Sequence, residues 1–180
     1  MVYMKLDGGV ELELVSPYNA DEIYALVDAN RDYLAEYLTW VDETKGPEEV
    51  LASTRRSLET FAAMKGVAYV IKVDGAIAGR ISMWLSEERA SVYEIGYWIA
   101  EAASGRGVMT RCVDELVRIG IENLNAEKFE IVCVVGNIAS NRVAQKAGFR
   151  LEGTRRRSQI VRGVAYDMNC YGLLRGEYAR

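Results

Sequence analysis

Between Glu94 and Thr110 the chain reads EIGYWIAEAASGRGVMT, an apolar strand pattern that runs into two glycines one residue apart and then into a helical pattern. Gly105 and Gly107 admit backbone angles that would cost other residues a Cβ clash. The amides of Gly105, Arg106, Gly107, Val108, Met109 and Thr110 can therefore turn toward one ligand, with the positive end of the following helix behind them. Such a loop suits an anion, above all a pyrophosphate, and Arg106 adds charge. It has neither the lysine and hydroxyl order of a Walker A motif nor the G-x-G-x-x-G spacing, which argues against nucleoside triphosphates and NAD. A glycine pair is also what a tight strand-to-helix connection requires with no ligand at all.

The other candidates for chemistry are narrowed by an absence: there is no histidine among the 180 residues. Ser-His-Asp and Cys-His relays and the common zinc sites are excluded together. Acid–base work falls to carboxylates, tyrosines, lysines, hydroxyls or water. Glu94 opens an otherwise apolar strand, where burial would raise its pKa; the plainer reading is a strand-end charge in solvent. Ser140 stands near the start of a short helical stretch and reads as its N-cap. Cys112, Cys133 and Cys170 lie far apart in apolar runs, as buried reduced thiols do, and not in a disulfide framework or a metal cluster. Arg155, Arg156 and Arg157 form the one basic run, solvated charge on a strand edge or an attractor for an acidic acceptor. Trp40, Trp84 and Trp98 are far apart in sequence with no basic residues interleaved, so they read as packing residues and not as a base-stacking platform.

The elements that position these residues follow from periodicity. Val10 to Ser16 alternates as a half-buried strand. Asn19, Asp21 and Glu22 cap a helix with apolar positions at Ile23, Leu26, Val27 and Leu34 and a break near Asn30. Gly46-Pro47 starts another, which extends to about Met64. Ala68 to Val73 and Ala76 to Leu85 flank the hairpin signal Asp74-Gly75, and Ser86 to Arg89 turns the chain into a strand over Ser91 to Ile99. After the glycine loop, Cys112, Val113, Leu116, Val117 and Gly120 mark the inward face of a helix, followed by a strand over Phe129 to Val135. Strand, helix and strand make a βαβ crossover, so the two strands should run parallel with the ligand at their carboxyl ends. A short helix from Ile138 to Ala147 and two strands around Arg162-Gly163 close the chain.

Length and a half-apolar composition predict one α/β domain over residues 1–180. A net charge of −4 argues against nucleic acid and acidic membrane partners. The absence of a long apolar run or signal peptide, with the reduced cysteines, points to a cytoplasmic protein.

The joint pattern EIGYWI, SGRGVMTR and NIASNRVAQKAGFRLEG, with YLTWVDETKGPEEV, DGAIAGRISM and RGVAYDMNCYGLL in order around it, resembles the GNAT superfamily of acyl-CoA N-acyltransferases. Within it the pattern is similar to the RimJ/RimL-type branch that acetylates ribosomal-protein amino termini. The resemblance implies a mixed, splayed sheet of about seven strands flanked by helices, with acetyl-CoA as cosubstrate and no metal. By the same carry-over the loop from Gly105 to Thr110 grips the coenzyme A pyrophosphate, the backbone of Ile99 and Ala100 pairs with the pantetheine amides, and Asn137 and Asn141 contact the pantetheine arm. Ser104 stands where the family has glutamine or arginine. The helix tyrosine that many members use as acid is replaced by Ala144; Ser140 matches the serine that takes that part in this branch. Glu94 resembles the superfamily's strand base, whereas the branch's own glutamate is replaced by Gln159, which leaves water as the other candidate base. The implied acceptor is a primary amine, a protein or peptide amino terminus. A polyamine or aminoglycoside, or a catalytically silent acyl-CoA sensor, are the alternatives, and a homodimer is left open.

Overall fold

The computed structural model describes residues 2–86 and 91–178. Its elements are β1 (Tyr3–Leu6), β2 (Val10–Leu14), α1 (Ala20–Ala29), α2 (Arg31–Ala35), α3 (Pro47–Ala62), β3 (Gly66–Val73), β4 (Ala76–Leu85), β5 (Val92–Ile99), α4 (Val108–Asn123), β6 (Lys128–Val134), α5 (Ile138–Lys146), β7 (Arg150–Val161) and β8 (Val164–Leu174). The strands form one sheet in the order β1-β2-β3-β4-β5-β6-β8-β7. Eight strands among the described residues exceed the expected seven by β1, which pairs with β2 across Gly8 and Gly9. Its four residues, YMKL, are too few for a period-2 pattern to stand out. Of the turn expected at Ser86 to Arg89, only Ser86 lies within the described residues.

Central β3 is buried on both faces, which is why Val67 to Ile71 reads as a continuous apolar run. Tyr69 and Ile71 join one core with Ile81, Met83, Ile95, Leu116, Phe129 and Ile131 under α4. Ala68 and Val70 join a second core with Ile23, Val27, Val50 and Trp98 under α1 and α3. Pro47 occupies the first turn of α3, and the Glu49 carboxylate accepts the Gly46 amide at 2.8 Å. Asn19 precedes α1 as expected, but its side chain makes no capping bond and its Oδ1 is buried without a partner. Asn30 breaks the first helical stretch into α1 and α2, as expected, and its side-chain amide donates back to Leu26 O at 2.9 Å. Asp74 and Gly75 both take positive φ (51° and 85°), the primed hairpin turn expected.

The β5–β6 pair is the parallel one and holds for only three residues, Val92↔Lys128, Tyr93↔Phe129 and Glu94↔Glu130. Beyond Glu94, β5 stays with β4 as far as Gly79↔Ile99, and β6 stays with β8 as far as Val134↔Met168. The sheet is thus split down its middle. On the β4 side the register shifts near Lys72 by one residue, leaving Ala78 to accept the Ala100 amide at 2.8 Å. At Gly79 a Cβ would overlap the Trp98 carbonyl oxygen and stand 2.9 Å from Ile99 Cα. Gly79→Ala must push β5 aside, and overpacking of this kind costs about 1–3 kcal/mol. Urea unfolding of this variant should show that loss of stability.

Candidate functional site

The split between β5 and β6 opens into a cleft of about 590 Å³. Its walls are residues 95–99 of β5 and 131–134 of β6, the glycine loop closes one end, and the start of α5 lies against the other strand. Gly105 and Gly107 take φ of 74° and 73°, and α4 begins at Val108 directly after the left-handed Gly107. The turn therefore uses both glycines as expected. Ile99, Gly105, Gly107, Val108, Met109, Thr110, Asn137 and Ser140 all line the cleft.

Four expected residues sit differently. Arg106 points away, 3.8 Å from the Asp74 carboxylate, in an ion pair exposed on both sides. Ala100 is buried outside the lining, and its amide is committed to Ala78. Asn141 is buried, with its Nδ2 donating to Val134 O (3.0 Å) and Asn137 O (2.7 Å) and its Oδ1 accepting from Asn169 (2.7 Å) and the Tyr171 hydroxyl (2.8 Å). No capacity is left for a pantetheine amide, so its work is to fasten α5 to the end of β6. Glu94 lines neither this cleft nor the neighbouring cavity; it occupies the last paired position, at the apex of the split.

Arg111 was not picked out by sequence reasoning. It falls four residues after Gly107, one helical turn, which returns its side chain to the loop. A Cβ on Gly107 or on Gly8 would stand 3.4 Å from its guanidinium nitrogens, and its Nε is buried without a hydrogen-bond partner. Arg111 does not line the cleft, so its charge stands behind the left-handed glycine amides and the helix N-terminus that do face it. The coenzyme A pyrophosphate fits this end of the cleft. Ser104, the substituted loop residue, is held by the Tyr33 hydroxyl at 3.3 Å.

At mid-cleft the Tyr97 hydroxyl meets Ser140 Oγ at 3.0 Å and the Ser140 carbonyl at 3.3 Å. Ser140 is not the N-cap. That position belongs to Asn137, whose Oδ1 accepts the Ser140 amide at 3.1 Å, so the serine sits inside the first turn with its hydroxyl free for other work. Burial holds the Tyr97 phenol well above its ordinary pKa, with the hydrogen bond to Ser140 opposing. Cys133, also buried, has its thiol pushed up by desolvation and eased down by a hydrogen bond with Ser140. Cys112 is buried as expected, but Cys170 is half-buried, with Arg155 Nε 3.0 Å from its sulfur. Ala144, in place of the helix tyrosine, is fully buried, and the phenol at mid-cleft is that of Tyr97 on β5. Gln159 lines the cleft and donates to Tyr37 O at 3.2 Å, offering no base.

Glu94 is half-buried, and its pKa is raised first by desolvation and then by Glu130 beside it, with Arg155 opposing. Among the described residues no cluster of histidine, cysteine and carboxylate side chains could hold a metal ion.

A family model described as an acetyltransferase (GNAT) domain matches residues 10–150. The chain is 28% identical to a putative ribosomal N-acetyltransferase, YdaF, of Bacillus subtilis, over 99% of this chain and 98% of that protein. Among solved structures it is similar to RimL, a ribosomal-protein alpha-N-acetyltransferase in complex with coenzyme A, with a TM-score of 0.90, 25% identity, and 96% and 97% of the two chains covered. It is also similar to the microcin self-immunity acetyltransferase MccE in complex with acetyl-CoA and AMP, with a TM-score of 0.86, 26% identity and 93% of each chain covered.

A raised carboxylate pKa favours the protonated form in the folded protein. Ionised Glu94 is thus a destabilising element that grows in as pH rises from the ordinary carboxylate range through the raised folded value, and is complete above it. Glu94→Gln removes it. The variant should unfold at higher temperature than the parent at neutral pH, and the difference should vanish as pH falls below the ordinary carboxylate range.

Proposed function

The chain belongs to the GNAT acetyltransferase family, and from that premise we propose that this acetyl-CoA-dependent N-acetyltransferase modifies the amino-terminal amine of a protein or peptide, ribosomal proteins in particular. The observation that carries the reading is the split sheet itself: an extended cleft with an anion cradle at one end and a pair of neutral hydroxyls halfway along it. The ribosomal acceptor is supported by the names of YdaF and RimL, which match this chain from end to end.

Bound acetyl-CoA supplies an activated thioester. The chain's own residues divide the remaining tasks. The amides from Gly105 to Thr110 hold the pyrophosphate, with Arg111 completing the charge. The unpaired edge of β5 near Ile99 offers backbone groups to the pantetheine and an amide to the acyl oxygen. Tyr97 and Ser140 direct hydroxyl hydrogens to the departing sulfur. Glu94 takes the amine proton through water, since it does not reach the cleft directly, and this relay needs no histidine. No helix among the described residues is long and apolar enough to cross a membrane, and a ribosomal acceptor would place the reaction in the cytoplasm.

Incubation with acetyl-CoA and a mixed pool of peptides, polyamines and amino sugars should add one acetyl group to peptide α-amines, read by mass spectrometry. Free thiol should appear only when the amine is present. Labelling confined to polyamines or amino sugars would overturn the acceptor, and calorimetry without acetyl-CoA binding would overturn the activity. Tyr97→Phe and Ser140→Ala should each lower kcat by about 10–100-fold with KM for acetyl-CoA unchanged. The double variant should be little worse than the poorer single one, since the two hydroxyls act as a unit.

A further inference from the structure

A second cavity of about 790 Å³ lies on the opposite face of the sheet, between α1, α3 and strands β4 and β5. It meets the cofactor cleft at Leu38, Gly96, Tyr97 and Trp98, which line both. The glycine loop, α4 and α5 are on the far side, so a molecule in this chamber approaches mid-cleft from the side the cofactor leaves open.

The chamber has a cation in its floor. Arg80 projects from β4 at the position opposite Trp98. Its guanidinium donates to Ser53 Oγ (3.0 Å) and Ser57 Oγ (2.7 Å), two hydroxyls one turn apart on α3. Among the described residues no carboxylate lies within ion-pair distance of it. Neutral hydroxyls offset only part of the cost of taking a full charge out of water. Burial, and then Arg56 on the same wall, lower its pKa to about 10, which leaves it charged at neutral pH. The carboxylates at the chamber, Glu43 and Glu49, are exposed at its mouth, and Glu49 is already engaged with the Gly46 amide. Trp40 and Trp98, separated in sequence, stand 6.0 Å apart between ring centres here, and Trp84 lies across Gly96. Three indoles and a guanidinium with unused donors line the same chamber, which suits a chain that is apolar along its length and negative at one point.

We propose that this chamber recognises a carboxylate near the amino terminus of the acceptor peptide, with Arg80 as its ligand and Arg56 as a supporting charge. The proposal rests on the peptide-acceptor reading above. An arginine that merely tied α3 to the sheet would need no charge for the purpose, and the charge is the feature that a bound carboxylate explains. The same charge makes the chamber a poor host for a polyamine.

The test compares peptides that differ only by Asp against Asn, or Glu against Gln, at the second to fifth positions. At the recognised position the acid should be preferred in kcat/KM by about tenfold or more, as expected when a buried partner would otherwise go unmatched. The N-acetylated acidic peptide should bind more tightly than its amide twin in calorimetry, a readout that needs no turnover. Arg80→Gln should bring both ratios to near one, with acetyl-CoA affinity unchanged. If that variant does not fold, Arg56→Gln should reduce the preference. A purely structural arginine would lower the melting temperature and leave the preference standing. The proposal is overturned if the parent enzyme treats acid and amide alike, if the preference survives Arg80→Gln, or if AMP or inorganic phosphate displaces the product peptide while acidic peptides do not. Acetylation of neutral and acidic peptides alike would sink the carboxylate site and leave the peptide-acceptor reading intact.

Discussion

Everything at the site depends on the end of strand pairing after Glu94↔Glu130. An unpaired row of backbone amides and carbonyls inside a sheet is costly unless something satisfies it. Here the two edges are held apart from outside. On one side β5 is bound to β4 through the close approach at Gly79 and the Ala78–Ala100 hydrogen bond. On the other, β6 follows β8, and Asn141 bonds the end of β6 to α5 and to Tyr171 and Asn169. The gap cannot zip shut without breaking one of these, so it remains as a slot whose edges match an extended, amide-bearing ligand.

Alternation along β5 then distributes the chemistry between two faces. Tyr97, with Ile95 and Ile99, turns toward α4 and α5, where the hydroxyl of Ser140 and the anion cradle are found. Trp98 turns toward α1 and α3, and Gly96 on that face makes room for the Trp84 ring. One strand therefore borders both cavities, and Gly96, Tyr97 and Trp98 form the wall where cleft and chamber meet. The absence of a side chain at Gly96 is as much a part of the site as the groups that flank it.

What the sequence revealed is what local physics decides. Gly105 and Gly107 take left-handed angles that favour glycine, and the strand–helix–strand order around them forced a parallel crossover. The hairpin at Asp74-Gly75 and the break at Asn30 were legible for the same reason. The residues that were missed or misplaced are those whose roles depend on register between distant segments. Arg80 was one charge in an apolar strand until α3 brought Ser53 and Ser57 beneath it. Ser140 looked like an N-cap because N-x-x-S offers two candidates, and only the fold shows that Asn137 takes the cap and frees the serine for Tyr97. Asn141 matched a ligand-binding position in a motif, but four polar neighbours from β6, the N-cap of α5 and β8 consume it.

The direction of the pKa shifts limits what the hydroxyl pair can do. Burial raises the Tyr97 phenol above its ordinary value and raises the Cys133 thiol beside it, so mid-cleft disfavours charge of either residue. A thiol titrates near 8.5, below even an unperturbed phenol at about 10. Complete transfer of the Tyr97 proton to a departing sulfur is uphill, so in the proposed mechanism the pair acts as fixed hydrogen-bond donors to the developing negative charge, in a setting where such donors are worth more than in water. In the mechanism proposed above, net proton removal belongs to Glu94, whose pKa is raised by burial and by Glu130. On that proposal a chain without histidine divides the task by placing a poor acid where only a hydrogen bond is needed and a strengthened base where a proton must leave.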